Sequence, residues 1–314
     1  MSYKPQVVIT HFPCSDGATA EAIIRQYYQD DGSIEYVKGD YGDAKSPEFM
    51  NDLIDRVRGK HVLMADFSYK AKEIQGLITS AESIVILDHH VTAEKELENY
   101  KLESFWTVNE IEKVLKEQKC VALFDMAECG SSLTWKFFYP GKEVPVFIER
   151  IKDIDLGRHK LHRSRDFMWF TRAIPINGPS YAEYLYVKDE SELEQYLDKG
   201  VTIRQYVETT AERIVENAIE GEYEGYTFKA VLSDYAFASE ISQKFVNEGM
   251  DIGVTGYFTN KTFGLSLRSR EGVDVSILAK AFGGGGHKQA AGVNIPFDDL
   301  PEFIEAMQNT VVWK

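Results

Sequence analysis

The side chains with the most chemistry in this sequence gather where apolar runs stop. In THFPCSDGATAEAII (10–24) an apolar run ends in His11, and an Asp16–Gly17 pair follows five residues later at the start of a helical pattern. Imidazole and carboxylate are donors expected for Mn²⁺ and similar cations, and Gly17 would let the backbone come close to a bound ligand. The plainer alternative for Asp16 is a helix cap. Asp66 likewise follows the apolar run of HVLMADF (61–67), with a cap or loop acid as its alternative. Asp88, His89 and His90 close SIVILDHH (83–90). Three adjacent titratable groups beside a buried strand are hard to explain as packing. On an extended or turning backbone His89 and His90 point apart, so one can bind a metal while the other faces substrate. In VFIERIKDIDLGRHK (146–160), Asp153 and Asp155 flank an isoleucine. One of them would be the last carboxylate of the site, and the other would solvate or cap. Two-metal phosphoryl chemistry needs such a set, so that both the attacking and the leaving oxygen meet positive charge.

A different signal lies near the end of the chain, in AKAFGGGGHKQAAGVNI (279–295). Four consecutive glycines are expected to have no helical or strand use and to serve close backbone approach to a ligand. The amides of such a loop (Gly284, Gly285, Gly286) cradle anions. His287, Lys288, Arg268 and Arg270 would add charge-assisted donors to phosphate oxygens.

The elements that must position these groups are legible as alternation. Short β-branched runs at 7–12, 34–41, 61–67, 83–90 and 120–126 are separated by helical patterns, as in a parallel sheet with crossover helices. Ligands of such sheets bind beyond the carboxyl ends of the strands, which makes His11, Asp66, Asp88 and His89 neighbours. A long helical pattern over about 190–218 then leads to a smaller mixed α/β unit. The expected class is therefore α/β, divided into a parallel-sheet domain (1–188), a linker helix (189–224) and a C-terminal domain (225–314).

Composition bounds the function further. The net charge is −15, from 35 Lys+Arg and 50 Asp+Glu. Residues 226–314 hold 8 of those basic and 10 of those acidic residues, so nearly all the imbalance falls on the half with the metal-type donors. That balance argues against broad attraction to duplex DNA, which rests on a basic footprint. No apolar run is long enough for a membrane span, the N-terminus does not lead into a cleavage site, and the three cysteines have no disulfide-like spacing. The expectation is a cytoplasmic protein without a membrane partner.

With these residues in hand, the chain resembles the DHH phosphoesterase superfamily, in its branch with the DHH-associated C-terminal domain. Asp88-His89-His90 is the signature tripeptide, and GGGGHKQAAG (283–292) is the hallmark of the associated domain. GSSLTWKFF (130–138) and Ser239-Glu240-Ile241 extend the resemblance to nearly the whole chain. It implies a Mn²⁺-dependent phosphoesterase, with Mg²⁺ as the alternative ion, a metal held in the N-terminal domain and substrate clamped by the C-terminal one. Carried over by motif, Asp16, Asp66, His89 and Asp153 would be ligands, His90 would touch substrate and Asp88 would orient its neighbours. The first motif departs from the family pattern, with Cys14 where most members carry an acid and the histidine displaced to His11. One metal position would therefore be retained, and a second would lean on His11 and Asp66. Cys14 is expected to be a packed thiol, because Mn²⁺ prefers oxygen and imidazole.

The function this implies is hydrolysis of phosphodiesters in short single-stranded oligonucleotides or small nucleotides, in the manner of an exonuclease. Arg268, Arg270 and His287 would hold the phosphate. The alternatives are a phosphatase of a nucleotide such as adenosine 3',5'-bisphosphate, a cyclic-dinucleotide phosphodiesterase, or a non-catalytic nucleotide-binding module. A homodimer is compatible with the sequence.

Overall fold

In the computed structural model, which describes residues 3–313, the early apolar runs become strands β1 (Val7–His11), β2 (Glu35–Gly39), β3 (His61–Ala65), β4 (Ser83–Asp88) and β5 (Cys120–Phe124). Between them lie α1 (Ser15–Tyr27), α2 (Pro47–Arg56), α3 (Ala71–Ser80), α4 (Val91–Glu96) and α5 (Ile111–Leu115). The strands form one parallel sheet in the order β2-β1-β3-β4-β5. Both faces are covered, and alternate residues divide between them. Val8, Leu63, Val85 and Val121 enter one core cluster, while Ile9, Met64, Ile86 and Ala122 enter the other. A fully buried parallel sheet explains why these strands lack polar alternation. Chain progression reverses at β1, which lies between β2 and β3. That makes the ends of β1 and β3 the topological switch point, where open α/β sheets bind ligands.

The rest of this unit is helical: α6 (Gly130–Phe138), α7 (Val146–Asp155), α8 (Ser164–Thr171), α9 (Gly178–Ala182) and the start of α10 (Glu190–Val215). The chain divides within α10 into two compact units, one ending at Ile203 and the other starting at Arg204.

The second unit contains β6 (Ile219–Tyr223), β7 (Tyr226–Leu232), α11 (Tyr235–Asn247), β8 (Ile252–Phe258), β9 (Thr262–Ser269), α12 (Val275–Ala281), β10 (Gly285–His287), β11 (Ala290–Pro296), α13 (Leu300–Thr310) and β12 (Val312–Trp313). Its sheet runs β10-β11-β9-β8-β7-β6-β12, with only the β7–β8 pair parallel. Three expectations differ here. The periodicity suggests a helix to about residue 218 within a connector ending at 224, but the helix stops at Val215 and 219–223 form β6. The reason is the Glu224–Gly225 turn, with φ of 49° and 82°, which folds β6 back on β7 as a two-residue hairpin. Helix α11 starts one turn before the expected Ser239, because the Asp234 carboxylate accepts from the Ala236 N–H and caps it. The glycine run does have a strand use, since Gly285–His287 pair antiparallel with β11. Among the described residues no helix is long and apolar enough to cross a membrane.

Candidate metal centre

Asp66 follows the last residue of β3 and sits at the centre of the site. Its φ is +60°, a left-handed conformation unusual for a residue with a side chain, and its carboxylate is only 1% exposed. Oδ1 lies 3.1 Å from His89 Nε2 and Oδ2 lies 3.6 Å from His11 Nδ1. Oδ2 is buried and accepts no hydrogen bond. Burial opposes its ionisation, but His11 and His89 outweigh this and hold Asp66 well below the ordinary carboxylate range. The N-terminus of α6 presses on the same residue. A side chain at Gly130 would place its Cβ 2.2 Å from Asp66 Cβ, so only glycine allows this approach.

Asp16, in the first turn of α1, is fully buried. Its carboxylate accepts the N–H of Gly130 at 2.5 Å and of Ser131 at 2.9 Å, together with the Ser131 hydroxyl. The amino end of α6 thus holds an anion of α1 in place. Burial, then the charges of Asp66 and Asp155, push Asp16 well above its usual range despite those donors. Gly17 does not face a ligand. Its missing Cβ would lie 2.2 Å from the His11 carbonyl oxygen, so glycine here lets α1 pack on the end of β1.

Around His89 Nε2 stand three carboxylates: Asp66 at 3.1 Å, Asp155 at 3.5 Å and Asp16 at 3.9 Å. Burial alone would depress the imidazole, but these acids push it up to about 9. Burial and Asp66 also raise Asp155. Three carboxylates thus crowd one imidazole, and the pKa values of Asp16, Asp155 and His89 are all raised. A second group of donor atoms shares Asp66, with His11, Cys14 and Asp66 offering atoms within 4.8 Å of one another. Cys14 therefore stands beside the donors of Asp66 and His11. Burial, then Asp66 and Asp16, raise its pKa, which favours the neutral thiol.

Asp88 does not join these donors. Fully buried, its Oδ1 accepts from the N–H groups of His89 (2.7 Å) and His90 (3.1 Å) and pairs with His90 Nδ1 at 2.6 Å, while Oδ2 accepts from the Ser68 hydroxyl at 2.7 Å. This orients His90 and raises its pKa, and the ring, 32% exposed, stays close enough to Asp66 and His89 for the three to form a donor group of their own. In the sequence, only the adjacency of the three letters hints at this division of labour.

The two acids left open by the sequence now separate. The resemblance assigns Asp153 as a ligand, but the structure places Asp155 in the cluster instead. Asp153 accepts the Lys160 N–H at 2.9 Å, the Leu161 N–H at 3.3 Å and the Ser164 hydroxyl, and so ties down the loop that follows α7. Those donors outweigh its burial and lower its pKa. Gly130 and Ser131, which position Asp16 and Asp66, carried no assigned role in the sequence. The signal that would have found them is a Gly-Ser pair opening a helix directly after the last strand of the sheet.

In the second unit, Arg268 donates to the Leu267 carbonyl at 2.9 Å and to Ser239 Oγ at 2.5 Å, which explains the Ser-Glu-Ile segment as its anchor. Arg270 donates to Asp251 Oδ1 at 2.5 Å, and Asp251 Oδ2 accepts the Thr227 N–H at 2.8 Å. Gly284 is packed so closely that a Cβ there would lie 2.2 Å from the Gly292 carbonyl oxygen, whereas a Cβ at Gly285 would meet nothing within 4 Å. Gly286, with a φ of +142°, and His287 complete the exposed side of the hairpin.

Comparison with known proteins agrees with this division. Residues 236–312 match the DHHA1 domain. An uncharacterised protein of Acanthamoeba polyphaga mimivirus is 26% identical over 301 residues, covering 91% of this chain. The chain spans only 66% of the length of that relative. The DHH domain of a protein described as a member of a ribosomal-protein family is similar in fold, with a TM-score of 0.58 at 12% identity, covering 98% of this chain and 86% of that one. RecJ from Thermus thermophilus, solved in complex with Mn²⁺, has a TM-score of 0.52 at 11% identity, covering 96% of this chain and 51% of that one.

Proposed function

Taking the chain as a member of the DHH phosphoesterase superfamily with a C-terminal DHHA1 domain, we propose that it is a divalent-metal-dependent hydrolase of phosphodiester bonds in short single-stranded oligonucleotides or small nucleotides. One observation carries this. Asp66 Oδ2 is buried without a hydrogen-bond partner, among carboxylate and imidazole groups whose donor atoms lie close together. Buried polar atoms in folded proteins are almost always satisfied, so an orphan at such a point fits a cation.

Asp16, Asp66, His89 and Asp155 would hold one ion, and His11, Cys14 and Asp66 a second. Mn²⁺ or Mg²⁺ suits the oxygen-rich first set, and Mn²⁺ is the ion present in the RecJ structure of similar fold. When bound, such an ion supplies positive charge that acidifies water and stabilises phosphoryl oxygens. The chain's own residues do the rest. Gly130 and Ser131 hold Asp16 in its ligating orientation, so the carboxylate need not reorganise when the site fills. Asp88 keeps the His90 ring turned outward, and the raised pKa of that ring favours the imidazolium, a donor for phosphate oxygen where charge builds up. In the second unit, Arg268, Gly284, Gly285, Gly286 and His287 are the proposed phosphate and sugar contacts. Arg270, already paired with Asp251, is proposed as a brace for that region.

The test is Mn²⁺-dependent turnover of a panel of labelled short RNAs, short DNAs, cyclic dinucleotides and adenosine 3',5'-bisphosphate. Activity on a 5-mer without release of phosphate from the bisphosphate is the expected pattern, and the reverse pattern identifies a monoesterase. Asp66→Asn should cost more than the roughly 10–100-fold lost when only a group behind metal ligands is removed. If the wild-type protein turns over nothing in the panel with Mn²⁺ or Mg²⁺, the assignment fails.

A further inference from the structure

Beside the donor cluster stands an aromatic side chain that no metal or phosphate chemistry requires. Tyr41, in the segment after β2, is 49% exposed, and its ring centroid lies 5.2 Å from that of His11, 6.1 Å from that of His90 and 5.0 Å from that of Phe67. His11 and His90 belong to the proposed metal and phosphate contacts, so the Tyr41 ring forms part of the wall of that site.

The segment that carries it is held from several directions. The Asp40 N–H donates to Asp43 Oδ2 at 2.8 Å, and the Gly42 N–H donates to Asp40 Oδ1 at 2.5 Å. The Tyr69 hydroxyl donates to the same Asp43 oxygen at 3.0 Å. Beneath the ring, buried Phe67 packs edge-on against Tyr69 at 4.7 Å and stacks on His11 at 5.8 Å. Asp40 and Asp43 therefore hold the backbone on either side of one exposed ring. An ordered, exposed aromatic is well suited to stacking on a flat partner, since the entropy of fixing it is already spent in folding.

We infer that Tyr41 is a specificity-determining residue whose ring packs on the nucleobase of a nucleotide bound with its phosphate at the His11–Asp66–His90 end of the sheet. The inference rests on the phosphoesterase reading of the same site and adds to it the side chain that holds the base, one sugar's length from the phosphate. Base stacking on an aromatic side chain tolerates any base, so the preference is for nucleotide over sugar phosphate and not for one sequence over another.

The experiment is calorimetric binding of AMP and of ribose 5-phosphate to the Mn²⁺-loaded full chain, which reads the base separately from the phosphate and requires no turnover. Wild type should bind AMP at least roughly 10-fold more tightly than ribose 5-phosphate, in line with the cost of losing one stacked base. Tyr41→Phe and Tyr41→Trp should keep that ratio, and Tyr41→Leu should bring it close to one with little change for ribose 5-phosphate. The inference is overturned if Tyr41→Leu keeps the ratio, if it weakens both ligands equally, or if Tyr41→Phe loses as much as Tyr41→Leu, which would assign the effect to the hydroxyl. Equal affinity of the wild type for both ligands overturns it as well. A base preference that Tyr41→Leu abolishes, in a protein that hydrolyses no member of the substrate panel, would retain this inference while removing the hydrolytic one.

Discussion

At the carboxyl edge of the first sheet three carboxylates share one imidazole, whereas in the second unit Arg270 already has its acceptor. Asp66 keeps a buried oxygen without a donor, while Arg270 grips Asp251, and Asp251 in turn receives the Thr227 N–H. The difference separates two uses of polar groups. A buried group short of partners costs stability and is retained where a ligand completes it. A satisfied group builds the frame. Asp153 and Asp155 show the same contrast within a single helix, one carboxylate spent on loop N–H groups and the other left facing acids.

That contrast can be broken most sharply with these two residues. Asp155→Ala should weaken Mn²⁺ binding by roughly 100-fold or more, at or beyond the upper range for groups behind the ligands, with little change in thermal stability. Asp153→Ala should do the opposite and cost about 3 kcal/mol by releasing hydrogen bonds to a charged acceptor, with a smaller effect on Mn²⁺ affinity. Calorimetric titration beside thermal denaturation reads both. A metal defect confined to Asp153→Ala would reverse the assignment.

The glycine hairpin offers the next largest effect. Gly284→Ala, whose new Cβ would lie 2.2 Å from a carbonyl oxygen, should cost about 1–3 kcal/mol through forced repacking. Gly285→Ala, with nothing within 4 Å, should stay within about 0.5 kcal/mol. Denaturant unfolding of the two variants measures the difference, and equal losses would show that the hairpin is not packed as described. Because Gly285→Ala leaves the frame intact, any weakening of nucleotide binding in that variant reports a ligand contact.

A small effect is also expected at Arg270. Its side chain is 53% exposed, so Arg270→Ala should cost only about 0–1 kcal/mol, as exposed ion pairs do. Substrate affinity in that variant sharpens the comparison. Unchanged affinity keeps Arg270 as a brace, and a large loss would move it to the phosphate contacts.

Much of the architecture is legible in the chain before any folding. Alternating apolar runs and helical patterns specify a parallel sheet, and a parallel sheet brings the ends of its strands to one edge, so His11, Asp66, Asp88 and His89 are recognisable as neighbours from local pattern alone. The chain divides between Ile203 and Arg204, inside the segment 189–224 expected to be a linker helix. Less visible are the features made by close approach. Gly17 reads as a ligand-facing glycine, yet it serves strand and helix packing. Tyr41 reads as part of a turn, because nothing local shows that Phe67 and Tyr69 will support its ring.

By itself, then, the order of residues brought His11, Asp66 and His89 to one edge of a sheet and placed two acids, Asp153 and Asp155, on a later helix. Only the tertiary structure decided which of the two faces that edge. Residues two apart on an α-helix point about 200° away from each other, so when one faces the donors of the sheet the other must face away. The packing of α7 turns Asp155 toward His89 and Asp153 toward the loop it caps. The same holds for Cys14, whose place beside His11 and Asp66 depends on how closely Gly17 lets α1 settle on β1.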